Sequence, residues 1–358
     1  MLPSYVLRDH SIMFLSNPSS FLFKAPALVS LICLGIESTA DNLGVGVASS
    51  DGSILANEVK VHIPEKGGIH PREAARHHSE KMGTVISRAL ETAKIRASDI
   101  DVVSFAQGPG LGPCLRTGAT AARALSAYLK VPLVGVNHCV AHIEIGRLAT
   151  GAEDPLTLYV SGGNTLISGF EAGRYRVFGE TLDITVGNCL DTFAREAGLE
   201  YPGGPAIEKM ALKGTKLIEL PYAVKGMDMS FTGLMTAAIN ELRSGRHSLE
   251  DLCFSLQETG YAMLGEVTER ALAHTKKPEL LLTGGVGANK RLRSVIEEIA
   301  NEHGAKPFHV PIRYATDNGA MIAWTGILAY RHGVRTPIET SYVDPRWRID
   351  EVEIPWRG

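Results

Sequence analysis

LICLGIESTADNLGVGVASSDGSILANEVKV, residues 31–61, contains three apolar stretches of strand length separated by two polar turns. Short turns between apolar runs predict an antiparallel meander, in which neighbours in sequence are also neighbours in the sheet. The same order recurs over residues 156–182, where LTLYV, TLISGF and YRVFGETL are separated by SGGN and EAGR. A unit that occurs twice predicts two domains of similar topology.

Each meander is followed by alternating helical and strand-like segments. After the first come the helix HHSEKMGTVISRALETAK, the strand DVVSFA, the helix TGATAARALSAYLK and the strand VPLVGV. After the second, the strand ELLLTGG precedes the helix KRLRSVIEEIANEHG, which Gly304 closes. This pattern is typical of the α/β actin-like or sugar-kinase-like fold, built from two RNase H-like lobes. Ligands in such folds lie at strand ends and helix N-termini, so we expect a nucleotide and metal cleft between the lobes.

The predicted domain bounds follow these segments. Residues 31–150 together with 320–358 are expected to form the first lobe, and residues 151–319 the second. Residues 1–30 show no strong periodicity. We interpret them as an extension that is disordered, or that results from a start codon placed too far upstream.

The composition restricts the possible function classes. The chain has 358 residues and a net charge of −3, so no global positive field would attract nucleic acid. Its five cysteines are dispersed without a CxxC pair, which favours reduced thiols and a cytoplasmic location. The longest near-apolar stretch, FLFKAPALVSLICLGI, is interrupted by Lys24 and Pro26 and is too short for a membrane span, so we expect no membrane partner.

Two glycine-rich segments, GPGLGPCLRTG at 108–118 and TGGVGANKR at 283–291, are interpreted as loops that precede helices. Neither matches the P-loop or the dinucleotide-binding fingerprint. The backbone amides of such loops can still bind phosphate, although tight turns alone would also account for the glycines.

NHCVAHIEIG, residues 137–146, places His138 and His142 one helical turn apart, so the two side chains share a face and could reach one ion. Histidines packed in a core would give the same spacing. Cys139 stands where an HExxH metallopeptidase has its glutamate, so a peptidase of that type is not supported. Asp317, in RYATDNGAM, could supply a carboxylate ligand or cap the following helix.

A second group of histidines, His70, His77 and His78, lies in GGIHPREAARHHSE. Adjacent residues of a helix point about 100° apart, so His77 and His78 cannot easily share an ion. Since basic residues flank this group, we interpret the segment as a polar surface.

In this order, the motifs resemble the universal tRNA threonylcarbamoyltransferase family, formerly labelled O-sialoglycoprotein endopeptidase. The family includes the catalytic subunit of the archaeal and eukaryotic KEOPS complex. The resemblance covers about residues 31–330 and is greater to the archaeal branch than to the bacterial one. The matching stretches are LGIESTADNLGVGV, GGIHPREAARHHSE, AQGPGLGPCLRTG, VPLVGVNHCVAHIEIGR, YVSGGNT, GETLDITVGNCLDTFAR, YPGGPAIEKMA, MSFTGL, LLTGGVGAN and YATDNGAMIAW.

The resemblance implies a set of site residues around one divalent metal ion, Fe(II) or Zn(II), and the substrate threonylcarbamoyl-AMP. The residues matching the metal site are His138, His142 and Asp317, with Tyr159 at or beside the ion. The substrate phosphate would lie on the backbone of Tyr159, Val160, Ser161, Gly162 and Gly163. The positions expected to hold the ribose and base are Asp191, Gly204, Glu208 and Asn289.

One further residue, Asp41 in the turn ESTADN, is the candidate catalytic residue. At this position it could face the cleft and assist proton transfer. The alternative is that its side chain only shapes the turn.

The implied activity is transfer of the threonylcarbamoyl group from threonylcarbamoyl-AMP to N6 of adenosine 37 in tRNAs that read codons beginning with adenine. The implied partners are tRNA and the other KEOPS subunits, namely an atypical small kinase-like ATPase, a small dimerising subunit and a tRNA-binding subunit. Three alternatives remain open: a nucleotide-binding kinase or ATPase of the same fold, a metallopeptidase, and a non-catalytic scaffold.

Overall fold

The computed structural model describes residues 30–64 and 68–357, and two five-stranded sheets organise them. The strands are β1 (Ile32–Glu37), β2 (Asn42–Ser49), β3 (Ile54–Val61), β4 (Val102–Gly108), β5 (Leu133–Asn137), β6 (Pro155–Val160), β7 (Thr165–Glu171), β8 (Arg174–Glu180), β9 (Val224–Lys225), β10 (Asp228–Met229), β11 (Glu279–Thr283) and β12 (Lys306–His309). Strands β9 and β10 form a separate two-stranded ribbon. The predictions for residues 1–29 lie outside the described part of the chain.

The two large sheets share one topology, which confirms the repeat predicted from the meanders. The first has the order β3-β2-β1-β4-β5, in which β1 to β3 are antiparallel and β4 and β5 run parallel to β1. The second, β12-β11-β6-β7-β8, is the same arrangement read from the other edge. The carboxyl ends of the parallel strands therefore meet at one edge of each sheet, where ligands bind in open α/β folds.

The helices are α1 (Pro71–Ala93), α2 (Gly112–Leu129), α3 (His138–Thr150), α4 (Val186–Glu196), α5 (Gly203–Ala211), α6 (Thr232–Ser244), α7 (Leu249–Thr275), α8 (Lys290–Glu302), α9 (Ile312–Ala315) and α10 (Gly319–Arg331). The prediction of a loop over 108–118 is wrong from Gly112 onward, because Pro113 is accommodated in the first turn of α2. Within the described residues, no helix is both long and apolar enough to cross a bilayer.

Helix α10 packs directly on β1 and β2 through glycine. A Cβ atom on Gly46 would lie 2.2 Å from the backbone nitrogen of Ala320, and one on Gly319 would lie 2.1 Å from that of Gly46, so only glycine permits the contact. This close approach holds the N-terminus of α10 against the first sheet. The bounds of the two lobes, 31–150 with 320–358 and 151–319, stay a prediction.

Candidate active site

The two histidines of the NHCVAH motif begin helix α3. Asn137 ends β5, and its side-chain oxygen caps the helix by accepting hydrogen bonds from the amides of Cys139 (3.0 Å) and Val140 (3.1 Å). His138 and His142 follow one turn apart, and both side chains are buried. The sharing of one face predicted from their spacing is therefore present, at the carboxyl edge of the first sheet.

Asp317 reaches the same point from the connection between α9 and α10. Its Oδ1 atom lies 3.1 Å from Nε2 of His142 and 3.6 Å from Nε2 of His138. The Tyr159 hydroxyl, at the end of β6, lies 3.1 Å from Nε2 of His138. Asp317 does not cap α10, because Asn318 does so through the amide of Met321 (3.0 Å). The structure thus brings together the four side chains that the sequence predicted.

The donor set fits a metal ion. Two ligands bound to one tetrahedral ion at typical bond lengths stand about 3.3 Å apart, and the nitrogen–oxygen distances to Asp317 lie on either side of that value. One ligand atom from each of His138, His142 and Asp317 can be chosen within 4.8 Å of the others. Two imidazoles and a carboxylate suit Fe(II) and Zn(II) alike.

The carboxylates in and beside this cluster favour positive charge on the groups they surround. Burial alone would lower the pKa of His138, but the carboxylates of Glu37 and Asp317 outweigh it and raise this pKa above its ordinary value. The pKa of Asp317 is depressed despite burial, because the two histidines face it. Burial raises the pKa of the Tyr159 phenol well above its usual range, so it is neutral without an ion.

The segment that follows Tyr159 is a tight turn against helix α4. The Ser161 hydroxyl accepts the amides of Gly163 (3.2 Å) and Asn164 (3.0 Å). The N-cap of α4, Thr185, donates its hydroxyl to the carbonyl of Gly162 at 2.7 Å. The N-terminus of α4 therefore borders the turn, and a helix N-terminus favours an anion.

The residues predicted to hold the ribose and base lie on α4, on α5 and at the N-cap of α8, and the three that have side chains each hold a backbone amide of the protein. Asp191 on α4 accepts the amide of Gly203 (2.8 Å), and Glu208 on α5 accepts that of Lys290 (2.8 Å). Asn289 caps α8 and donates its amide group to Gln257 at 3.0 Å. A Cβ on Gly204 would meet nothing within 4 Å, so protein packing does not require glycine there.

The candidate catalytic residue, Asp41, lies between β1 and β2 and accepts a hydrogen bond from the Tyr201 hydroxyl at 3.2 Å. Burial, and then the negative charge of Asp317, raise the pKa of Asp41 to about 6. A carboxyl group that titrates near neutrality can exchange protons under ordinary conditions. Its catalytic role stays a prediction.

Comparison with known proteins assigns the family. The family model described as TsaD, tRNA N6-adenosine threonylcarbamoyltransferase, matches residues 53–324, which is more than half of the chain. The chain belongs to this family. A tRNA N6-adenosine threonylcarbamoyltransferase of Thermofilum pendens is 56% identical over 329 residues, 92% of this chain and 98% of the relative. One from Thermococcus kodakarensis is 56% identical over 326 residues, covering 91% of this chain and all of the relative.

A longer relative shares the same region. The probable bifunctional tRNA threonylcarbamoyladenosine biosynthesis protein of Methanothermobacter thermautotrophicus is 57% identical over 327 residues, or 91% of this chain. The chain spans only 61% of that relative's length. With relatives of matching length and name, the comparisons identify an enzyme of the threonylcarbamoyltransferase type and do not favour the kinase or peptidase alternatives.

Solved structures of low identity share the fold. T. kodakarensis HypF superposes with a TM-score of 0.61 at 14% identity, covering 84% of this chain and 48% of HypF. Component A of the (R)-2-hydroxyglutaryl-CoA dehydratase of Acidaminococcus fermentans gives 0.51 at 15% identity, covering 83% and 98%. Together with the repeated sheets, these likenesses confirm the actin-like α/β fold.

Three residues near the site were not found from the sequence. Glu37 pairs with His138, Tyr201 with Asp41, and His78 is fully buried with Nε2 2.9 Å from the carbonyl oxygen of Ala40. The interpretation of the HH segment as surface is therefore wrong for His78. A signal for Glu37 was present, because a carboxylate that ends an apolar strand needs a partner once buried.

Proposed function

We propose that the chain transfers the threonylcarbamoyl group of threonylcarbamoyl-AMP to N6 of adenosine 37 in tRNAs that read codons beginning with adenine. The observation that carries the proposal is the convergence of His138, His142, Asp317 and Tyr159 beside the Ser161–Gly163 turn. The family assignment supports the same reaction.

In this proposal, His138, His142 and Asp317 would hold one divalent ion, Fe(II) or Zn(II), with Tyr159 beside it. When bound, the ion would supply Lewis-acid polarisation of a substrate oxygen. The chain's own groups do the rest of the binding. The amide of Gly162 and the N-terminus of α4 would receive the phosphate, since the amides of Ser161 and Gly163 already donate within the turn.

The nucleoside would lie between α4, α5 and α8. The carboxylates of Asp191 and Glu208 would accept hydrogen bonds from ribose hydroxyls. Gly204 leaves room for a ring beside its backbone, and Asn289 would border the base. Because each of these carboxylates already accepts a backbone amide, its orientation is fixed before substrate binds.

The chemical step moves one proton. The N6 amine attacks the carbamoyl carbonyl carbon, the bond from that carbon to the phosphate oxygen breaks, and AMP leaves with the bond's electrons. The surplus proton on the amine passes to the Asp41 carboxylate. The raised pKa of Asp41, about 6, leaves it ionised above neutrality yet basic enough to accept this proton.

The charge of the chain indicates that tRNA binding requires partner proteins. A net charge of −3 supplies no overall attraction for a polyanion such as tRNA. We therefore propose that tRNA binding depends on partners, which the family resemblance implies are the KEOPS subunits, namely the small kinase-like ATPase, the small dimerising subunit and the tRNA-binding subunit. A cytoplasmic location belongs to the same proposal.

The test is transfer of labelled threonylcarbamoyl-AMP to tRNA by the chain with its partner subunits. Wild-type protein should label tRNA, and the His138→Ala/His142→Ala variant should lose nearly all of the label. Circular dichroism and thermal melting establish that the variant is folded. Full labelling by a folded double variant would reject the metal site, and absence of labelling by the wild type with active partners would reject the transferase proposal.

A further inference from the structure

Glu37 ends strand β1, and its carboxylate is completely buried. One oxygen, Oε2, lies 2.9 Å from Nδ1 of His138. The other, Oε1, accepts the amide of Thr39 at 2.7 Å, within the turn that carries Asp41. Ionised carboxylates are rarely buried without compensation. Among the described residues, the ionic partner of Glu37 is His138 rather than a lysine or arginine.

His138 and His142 differ in what lies beside Nδ1, the ring nitrogen that does not face Asp317. Nδ1 of His138 has the Glu37 carboxylate, whereas Nδ1 of His142 is buried and has no hydrogen-bond partner in the described part of the chain. In the neutral imidazole that binds a metal ion, a carboxylate beside Nδ1 keeps the one proton on that nitrogen, which leaves the Nε2 lone pair free. Nε2 of His138 is the atom that faces Tyr159 and Asp317.

We propose that Glu37 is a positioning residue for the metal centre. It fixes the tautomer and ring orientation of His138, so that Nε2 faces the ion, and it joins this histidine to the Thr39–Asp41 turn through the amide of Thr39. The proposal rests on the metal site of the proposed function. In this role Glu37 would contact neither the ion nor the substrate.

The chain offers a matched control in Glu144. This residue lies on α3, and its carboxylate is also buried, but it pairs with Arg147 (2.6 Å) and with the Tyr175 hydroxyl (2.7 Å). Glu37→Gln and Glu144→Gln each remove one buried negative charge with almost no change in shape. A general effect of losing such a charge should appear in both variants, whereas a change in metal binding is expected for Glu37→Gln alone.

The measurement is the Zn²⁺ affinity of the full-length metal-free chain, by competition with a chromophoric chelator, alongside thermal melting with and without Zn²⁺. We expect Glu37→Gln to weaken Zn²⁺ binding by about 10- to 100-fold, the usual effect of losing a carboxylate that orients a metal-bound histidine. Glu144→Gln should bind within about twofold of the wild type, because that carboxylate does not contact a ligand. The rise in melting temperature caused by Zn²⁺ should shrink only in Glu37→Gln.

Glu37→Asp is a second variant, which tests the same role if Glu37→Gln does not fold. Glu37→Asp keeps the charge but withdraws the oxygens by about 1.5 Å, so it should bind Zn²⁺ more weakly than the wild type and, where both fold, more tightly than Glu37→Gln. Wild-type affinity in either folded Glu37 variant overturns the inference, as does an equal loss in Glu144→Gln. A wild-type chain that binds no Zn²⁺ or Fe²⁺ instead rejects the metal site of the proposed function, so the two failures are distinguishable.

Discussion

The proposed metal cluster and the proposed nucleotide cleft use polar side chains in opposite ways. In the cluster, Asp317, His138 and His142 face one another, and the charge they share is satisfied within the group. In the cleft, Asp191, Glu208 and Asn289 each hold backbone amides of neighbouring helices. The first region is arranged for a ligand that brings its own charge, and the second supports the scaffold as well as any ligand.

This difference predicts that substitutions in the two regions have different effects. Changes in the cluster should remove metal and activity with little change to the fold, because the hydrogen bonds of these side chains run to one another rather than to the backbone of neighbouring helices. Changes in the cleft should weaken folding and nucleotide binding together. Four substitutions, taken from the largest expected effect to the smallest, test this division.

The largest effect is expected from Asp317→Asn. The amide keeps the shape but loses the negative charge that lies between the two histidines. We expect bound metal to fall below one ion in about ten chains, and transfer of threonylcarbamoyl to fall on the order of 100-fold or more. Metal analysis by mass spectrometry and the tRNA-labelling assay measure these losses. Retention of a full metal complement by the variant would place the ion elsewhere.

Asp41→Asn should have the next largest effect, and it should change how the transfer rate depends on pH. An ionised Asp41 is needed to accept the proton, so the transfer rate should rise with pH through an inflection at or below about 6, since a bound cation offsets the charge of Asp317. Asp41→Asn should lower the rate on the order of 100-fold and abolish the inflection. An unchanged pH profile in the variant would leave Asp41 as a turn residue only.

The same shift has a consequence for stability, with a defined sign. The pKa of Asp41 is higher in the folded chain, about 6, than in the unfolded chain, so the folded state binds more protons between about pH 4 and pH 6. This group therefore makes the metal-free chain less stable as pH rises across that window. Urea unfolding at several pH values should show that Asp41→Asn lacks this component.

The sequence predicted the strands and the histidine pair because their signals are local. Apolar runs and turns identify the meanders, and a spacing of four residues places His138 and His142 on one face. The meeting of His142 with Asp317 joins residues 175 positions apart, so the sequence left Asp317 either a ligand or a helix cap, and the family resemblance favoured the ligand. Glu37 was missed because its partner is 101 positions away and no spacing rule connects them.

The start of α2 shows a different limit. Gly112 and Pro113 have the composition of a loop, yet both fit the first turn of a helix, where the missing N–H of proline costs nothing. A similar ambiguity applied to Asp317 and Asn318, either of which has a side chain able to cap α10. In the structure Asn318 caps the helix, and Gly319 directly after it packs against the backbone of β2. No local sequence pattern encodes that contact.

In the cleft, Asn289→Ala should combine a moderate loss of stability with weaker nucleotide binding. Loss of the cap on α8 is expected to cost about 1 kcal/mol of unfolding free energy, and loss of the hydrogen bond to the buried Gln257 about 1–3 kcal/mol more. Ser248→Ala is the control for the cap alone, because Ser248 caps α7 through the amide of Asp251 (3.1 Å) and should lose about 1 kcal/mol. Calorimetric titration with AMP should show weaker binding only for Asn289→Ala, and equal affinity in both variants would limit Asn289 to capping.

The smallest effect is expected from Tyr201→Phe, which removes the hydrogen bond between the Tyr201 hydroxyl and Asp41. That bond stabilises the ionised carboxylate and lowers its pKa, so its loss should move the Asp41 inflection upward by less than about one pH unit. Because Tyr201 is 45% exposed, unfolding free energy should change by less than about 1 kcal/mol. Tyr222→Phe provides the control, since Tyr222 is 49% exposed and its hydroxyl donates to Glu266. A shift of the inflection in Tyr201→Phe alone would show that Tyr201 influences proton transfer by Asp41. No shift would mean that Tyr201 makes only a surface contact.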